Sequence, residues 1–208
     1  MDGLILGLDL CDGYTQLSCW GREENWTLPT AVCRQKDGGW LIGETAYATA
    51  LAGEGSVTDK LIRLVLQDGS DTIYGVKYRA VDLLKCFLEQ VFSLPLEEGK
   101  TVDGSMVKEL VITVPKMKAR LMDGLMYCAD QLKIPRSHVH VISHTEAFMY
   151  FVLSQTRDVW SNHVGLFDLS EKCLCYYEMK VQKNMGQVTA VAEREKLEEG
   201  FALDILSA

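Results

Sequence analysis

Asp9 closes the apolar run Leu4-Ile5-Leu6-Gly7-Leu8, and Cys11-Asp12-Gly13-Tyr14 follows at once. Asp168 stands in the same kind of place, after Val164-Gly165-Leu166-Phe167. A carboxylate at a strand end ordinarily hydrogen-bonds the backbone of the turn it opens. Glu146 lies near a helix start, where a carboxylate complements the helix dipole without doing chemistry. Three histidines cluster in the sequence: His138 and His140 alternate on one strand face, and His144 follows within a turn. Two strand histidines at that spacing can share a transition metal, against the plainer reading of packed or solvated side chains. The seven cysteines are an odd number and sit mostly in apolar segments, which predicts buried, reduced thiols. None has Cys-x-x-Cys spacing. Cys173 and Cys175 share a strand face, but a closed zinc site needs four ligands. No Gly-x-Ser-x-Gly, His-Glu-x-x-His or Walker sequence occurs.

The elements that would position these residues follow from periodicity. Leu4–Leu10 is predicted as a buried strand, and Thr15–Trp20 returns beside it. Asp12-Gly13 between them suits the positive φ of a tight hairpin turn. Thr30–Gln35 and Trp40–Gly43 flank a second hairpin signal, Lys36-Asp37-Gly38-Gly39. Small helices are predicted over Ala46–Ala52 and Asp59–Gln67, and one strand over Thr72–Tyr78. Val81–Leu94 is an amphipathic helix with Leu84, Phe87, Leu88, Val91 and Phe92 as its apolar stripe. Leu110–Val114 is a buried strand ended by Pro115. Lys116–Lys133 is a helix facing inward through Leu121, Leu125, Cys128, Ala129 and Leu132. Val139–Ile142 is a strand and Thr145–Leu153 an apolar helix. Strands follow over Val164–Leu169, Leu174–Val181 and Val188–Glu195, then a final helix over Glu198–Leu206. This order predicts an α/β fold on a mixed sheet rather than a regular doubly wound one.

Composition narrows the function. The 208 residues suit one large domain or two small ones, at about 100–200 residues per domain. Apolar residues make up 48% and charged residues 24%, so the chain is neither disordered nor fibrous. Lys and Arg total 21 against 29 Asp and Glu, a net charge of −8. That sign disfavours nucleic acid and anionic membrane surfaces as partners. Met1-Asp2 lead straight into the first strand without a basic and then apolar leader, and no apolar run reaches the ~20 residues of a membrane span. The expected location is the cytoplasm.

Several segments, in order, resemble the actin, sugar-kinase and heat-shock-chaperone (DnaK-like) ATPase superfamily. Leu6-Gly7-Leu8-Asp9-Leu10-Cys11-Asp12-Gly13-Tyr14-Thr15 is similar to its first phosphate loop. Leu28-Pro29-Thr30 with Trp40-Leu41-Ile42-Gly43 resembles a chaperone segment. Val107–Pro115, ending in Thr113-Val114-Pro115, is similar to a chaperone strand, and His163–Leu169 resembles the strand entering the second phosphate loop. The resemblance implies a ribonuclease-H-like mixed sheet flanked by helices, with a small inserted α/β subdomain over 36–107, the whole of 1–208 forming the first lobe of an actin-like ATPase. It places Asp9 near a metal and its waters and assigns Asp12, Gly13 and Thr15 to a nucleotide-binding loop. Asp168 would open the second loop, with Glu146 or His144 at the third element and Lys60 as the nearest match to a catalytic lysine.

The match departs from the family where phosphates would sit. Cys11 replaces a glycine, and Asp12 replaces a hydroxyl residue. A carboxylate about 4 Å from a phosphate charge repels it by roughly 1–4 kcal/mol unless a metal intervenes. The run Asp168-Leu169-Ser170-Glu171-Lys172-Cys173 has no glycine to let backbone amides approach. The expected function is therefore a degenerate ATPase domain acting as a non-catalytic scaffold or regulatory binding module. No cofactor is expected for this chain alone, and its expected partner is another protein or the rest of its own polypeptide. The alternative is a working ATP- and Mg-binding chaperone-like or filament protein whose second lobe lies outside this chain.

Overall fold

Alternation along Leu4–Leu10 (β1) sends Leu6, Leu8 and Leu10 to a buried face and Ile5, Gly7 and Asp9 to the opposite one. In the computed structural model, which describes residues 3–155, 163–169, 173–184 and 187–199, this strand is the middle of a five-stranded sheet. Contacts divide the chain into two units, Met1–Ile142 and Ser143–Ala208.

In the first unit β1 pairs antiparallel with β2 (Tyr14–Cys19), and β2 pairs antiparallel with β3 (Asn25–Pro29). A second sheet follows in sequence: β4 (Ala31–Gln35), β5 (Trp40–Ile42) and β6 (Gly55–Asp59), with order β5-β4-β6 and α1 (Gly43–Leu51) between β5 and β6. Then come α2 (Leu61–Leu66), the hairpin of β7 (Ser70–Ile73) and β8 (Val76–Arg79), and α3 (Ala80–Ser93). The chain returns to the main sheet as β9 (Val107–Val114), parallel to β1. After α4 (Ala119–Gln131), β10 (Val139–Ser143) completes the order β10-β9-β1-β2-β3. The mixed sheet and its flanking helices are those of an α/β fold.

The core sits where α2, α3 and α4 meet the leucine face of this sheet. The predicted stripe of α3 is fully buried, joined by Ala80 and Leu83, and Leu121, Leu125, Cys128 and Ala129 of α4 face it. Arg79, just before α3, forks onto Asp82 at 2.8 and 2.9 Å, and the Tyr127 hydroxyl of α4 donates to the same carboxylate at 2.8 Å. This ties the two helices at their solvent edge.

Three local expectations are corrected. The single strand over Thr72–Tyr78 is a hairpin, because Tyr74 (φ 49°) and Gly75 (φ 78°) both take the left-handed conformation and reverse the chain. The helix over Asp59–Gln67 is shorter, because Asp59 ends β6, paired with Ala31 of β4, and Lys60 turns left-handed at φ 53°. The turn at Asp12-Gly13 uses no positive φ at all.

In the second unit, α5 (His144–Ser154) packs Phe148, Met149, Val152 and Leu153 together with Val164. Its sheet has the order β11 (His163–Leu169), β12 (Cys173–Asn184) and β13 (Gln187–Glu199), all antiparallel. The third strand is longer than its periodicity predicts and takes in Glu198 and Glu199, the start of the predicted final helix. The rest of that helix, 200–206, lies outside the described residues. Among the described residues no helix is long and apolar enough to cross a membrane.

Candidate functional site

Asp9 stands opposite Thr113 in the parallel register of β1 and β9. The Thr113 hydroxyl donates to Asp9 Oδ1 at 2.8 Å and lies 3.4 Å from the Leu8 carbonyl. The parallel pairing, which no local pattern announces, brings this carboxylate and hydroxyl together across 104 residues.

The loop after Asp9 is closed by protein groups. Cys11 N–H donates to the Tyr14 carbonyl at 3.3 Å, and Thr30 N–H donates to the Gly13 carbonyl at 2.9 Å. The Thr30 hydroxyl donates to the Cys11 carbonyl at 2.7 Å, and the Thr15 and Thr30 hydroxyls lie 2.7 Å apart. Both threonines are buried, so the Thr15 hydroxyl faces inward beneath the loop. Thr30, just past the end of β3, thus holds three points of the turn, and this replaces the positive φ expected there.

Asp12 is directed at α2. Its Oδ1 accepts from the Arg63 amide at 3.0 Å, and its Oδ2 lies 3.8 Å from Arg63 Nε. Arg63 is the third residue of α2, whose amide an N-cap side chain normally satisfies. Lys60 occupies the N-cap position and makes no such bond. Asp12 supplies the missing oxygen from 51 residues away. Lys60 therefore marks a helix start.

Beside Asp9, an open cleft of about 330 Å³ lies on the polar face of the sheet. Gly7 forms its floor, and Asp9, Gln16, Ser18, Asn25 and Thr113 stand around it. Among the described residues of the lining, Asp9 is the only ionisable side chain. The strand alternation gave Gly7 and Asp9 a common face, but Gln16, Ser18 and Asn25 were missed. The polar alternation of β2, for Gln16 and Ser18, and of β3, for Asn25, was their only sequence signal.

His138 is in a 3-10 turn, Arg136–His138, rather than on the strand, and its Nδ1 lies 3.1 Å from the Val107 carbonyl. His140 Nε2 lies 3.1 Å from Glu109 Oε2. The strand begins at Val139, so of the two only His140 lies within it. Among the described residues neither joins a group of three metal-ligating side chains. His144 is the first residue of α5. Ser143 caps that helix, accepting from the Glu146 amide at 3.1 Å, so Ser143 and Glu146 hold the Ser-x-x-Glu spacing of a capping box. Asp168 pairs with Cys175 across β11 and β12; the side chains of Asp168, Cys173 and Cys175 lie outside the described residues. Among the described cysteines, Cys19, Cys33 and Cys128 are buried and Cys11 and Cys86 half-buried, and none of these is in a disulfide. Burial pushes the Cys128 thiol up to about 12, far from a reactive thiolate.

The chain belongs to the family of unknown function (DUF5716), C-terminal, whose model matches residues 13–207. No curated protein matches it.

Proposed function

We propose that this family member is a degenerate actin- or chaperone-like ATPase domain that works as a cytoplasmic, non-catalytic scaffold or regulatory module for a protein partner. Support for the ancestry comes from the sheet. With the stretch between β3 and β9 set aside, the strands run third, second, first, fourth and fifth across it, with the first and fourth parallel. A ribonuclease-H-like sheet of the kind the resemblance implies has this order.

The observation that carries the loss of catalysis is the commitment of the β1–β2 loop. A phosphate loop needs free amides and hydroxyls aimed outward. Here the Thr15 hydroxyl is buried against Thr30, the Asp12 carboxylate caps α2, and Thr30 pins the turn. Among the described residues that line the adjoining cleft, none is a Lys, Arg or His that would offset a polyphosphate beside Asp9. These residues do not fit a bound nucleotide, and no hydrolytic step is derived through one.

The test is titration of the 208-residue chain with Mg-ATP and Mg-ADP, read by calorimetry and by thermal melting. The expected result is no heat of binding and an unchanged melt. Micromolar affinity would overturn the proposal and favour a working ATPase completed by polypeptide outside this chain.

A further inference from the structure

We propose that the cleft over Gly7 binds a small neutral polyol, of the size of a monosaccharide or cyclitol. The register builds the cleft as a two-row grid on one face of the sheet. One row crosses β9, β1, β2 and β3 as Thr113, Asp9, Gln16 and Thr27; the next crosses as Val111, Gly7, Ser18 and Asn25. Strands lie about 4.8 Å apart, so each row spans roughly 14 Å. At the second position of the second row there is no side chain. A Cβ on Gly7 would come within 2.7 Å of Ser18 Oγ, so a larger residue there fills the depression and displaces its wall.

The lining chooses the ligand class. Gln16 and Asn25 are exposed, and among the described residues nothing bonds to their carboxamides. Each offers both donors and an acceptor. With the Ser18 and Thr113 hydroxyls and the Asp9 carboxylate, they present mixed donors and acceptors around a glycine floor. Vicinal hydroxyl groups, each able to donate and accept, complement such a set. Among the described lining residues an anion finds no cation, and a flat base finds no aromatic ring on which to stack. The cleft, at about 330 Å³, stands at the lower end of the roughly 300–1,000 Å³ usual for ligand sites, which suits one six-membered ring.

The inference does not rest on the nucleotide reading, and the two experiments fail separately. The whole chain, labelled with ¹⁵N, is titrated in parallel with myo-inositol, D-glucose and inorganic phosphate. The expected result is saturable shifts at the amides of Gly7, Gln16, Ser18 and Asn25 with a Kd of about 1 mM or tighter for at least one polyol. The Q16L/N25L variant, altered only at exposed positions, should keep its spectrum elsewhere and weaken that binding about tenfold or more. G7A, which raises the floor, should weaken it as well. The proposal is overturned if neither polyol shifts these amides, if Q16L/N25L binds as tightly as the parent, or if phosphate shifts the same amides more strongly than either polyol. Should Q16L/N25L lose its fold, single Q16L and N25L chains carry the same comparison.

Discussion

The Asp12 carboxylate accepts a hydrogen bond from the Arg63 amide at 3.0 Å and so caps a helix that its own sequence leaves uncapped. The bond joins the β1–β2 loop to α2, and through α2 to the core shared with α3 and α4. A residue placed where phosphate chemistry would be expected thus serves the connection between two parts of one unit.

Replacing Asp12 with Ala should destabilise the chain by about 1 kcal/mol, the usual cost of a lost N-cap. Asp12→Asn keeps an oxygen for the Arg63 amide and loses only the ion pair at 3.8 Å, so it should cost less than half as much. Urea melts of the three proteins check this. Equal stability of Asp12→Ala and the parent would show that the cap contributes nothing.

Asp82 gives a pH signature. Hydrogen bonds from Arg79, with the Tyr127 hydroxyl adding to them, hold its carboxyl below the ordinary carboxylate value. A group whose folded value is depressed contributes stability that is complete above its unfolded value and lost as pH falls through the folded one. The melting temperature of Asp82→Asn should therefore lie below the parent's at pH 7, and the gap should close below about pH 4. A gap constant from pH 7 to pH 3 would contradict the assignment.

Gly104 stands where a side chain has no room. A Cβ there would overlap the backbone carbonyls of Leu132 and Lys133, which cannot rotate away as a side chain would. Gly104→Ala should cost about 1–3 kcal/mol in a chemical melt, the range for overpacking. Gly99→Ala tests the contrast: nothing lies within 4 Å of its Cβ, and its φ of 80° charges only backbone strain, about 1 kcal/mol. Equal losses at both positions would remove the packing argument.

Periodicity alone marks out the elements that are long and buried on one side. The stripe Leu84, Phe87, Leu88, Val91, Phe92 can be buried only as one helical face, and Leu110–Val114 before Pro115 only as a strand. It also indicated that Gly7 and Asp9 share a face, because side chains alternate along any strand. What those residues meet depends on how distant strands and helices pair. Parallel pairing of β1 with β9 set Thr113 beside Asp9, and the arrival of α2 gave Asp12 an amide to cap. Thr30, one residue past β3, was brought under the loop by the pairing of β3 with β2. These partners are 15 to 104 residues apart in the chain. Local propensity acts over a few residues and carries no record of such encounters. The register of the folded sheet sets them, and with them whether a carboxylate at a strand end faces a ligand or holds the protein together.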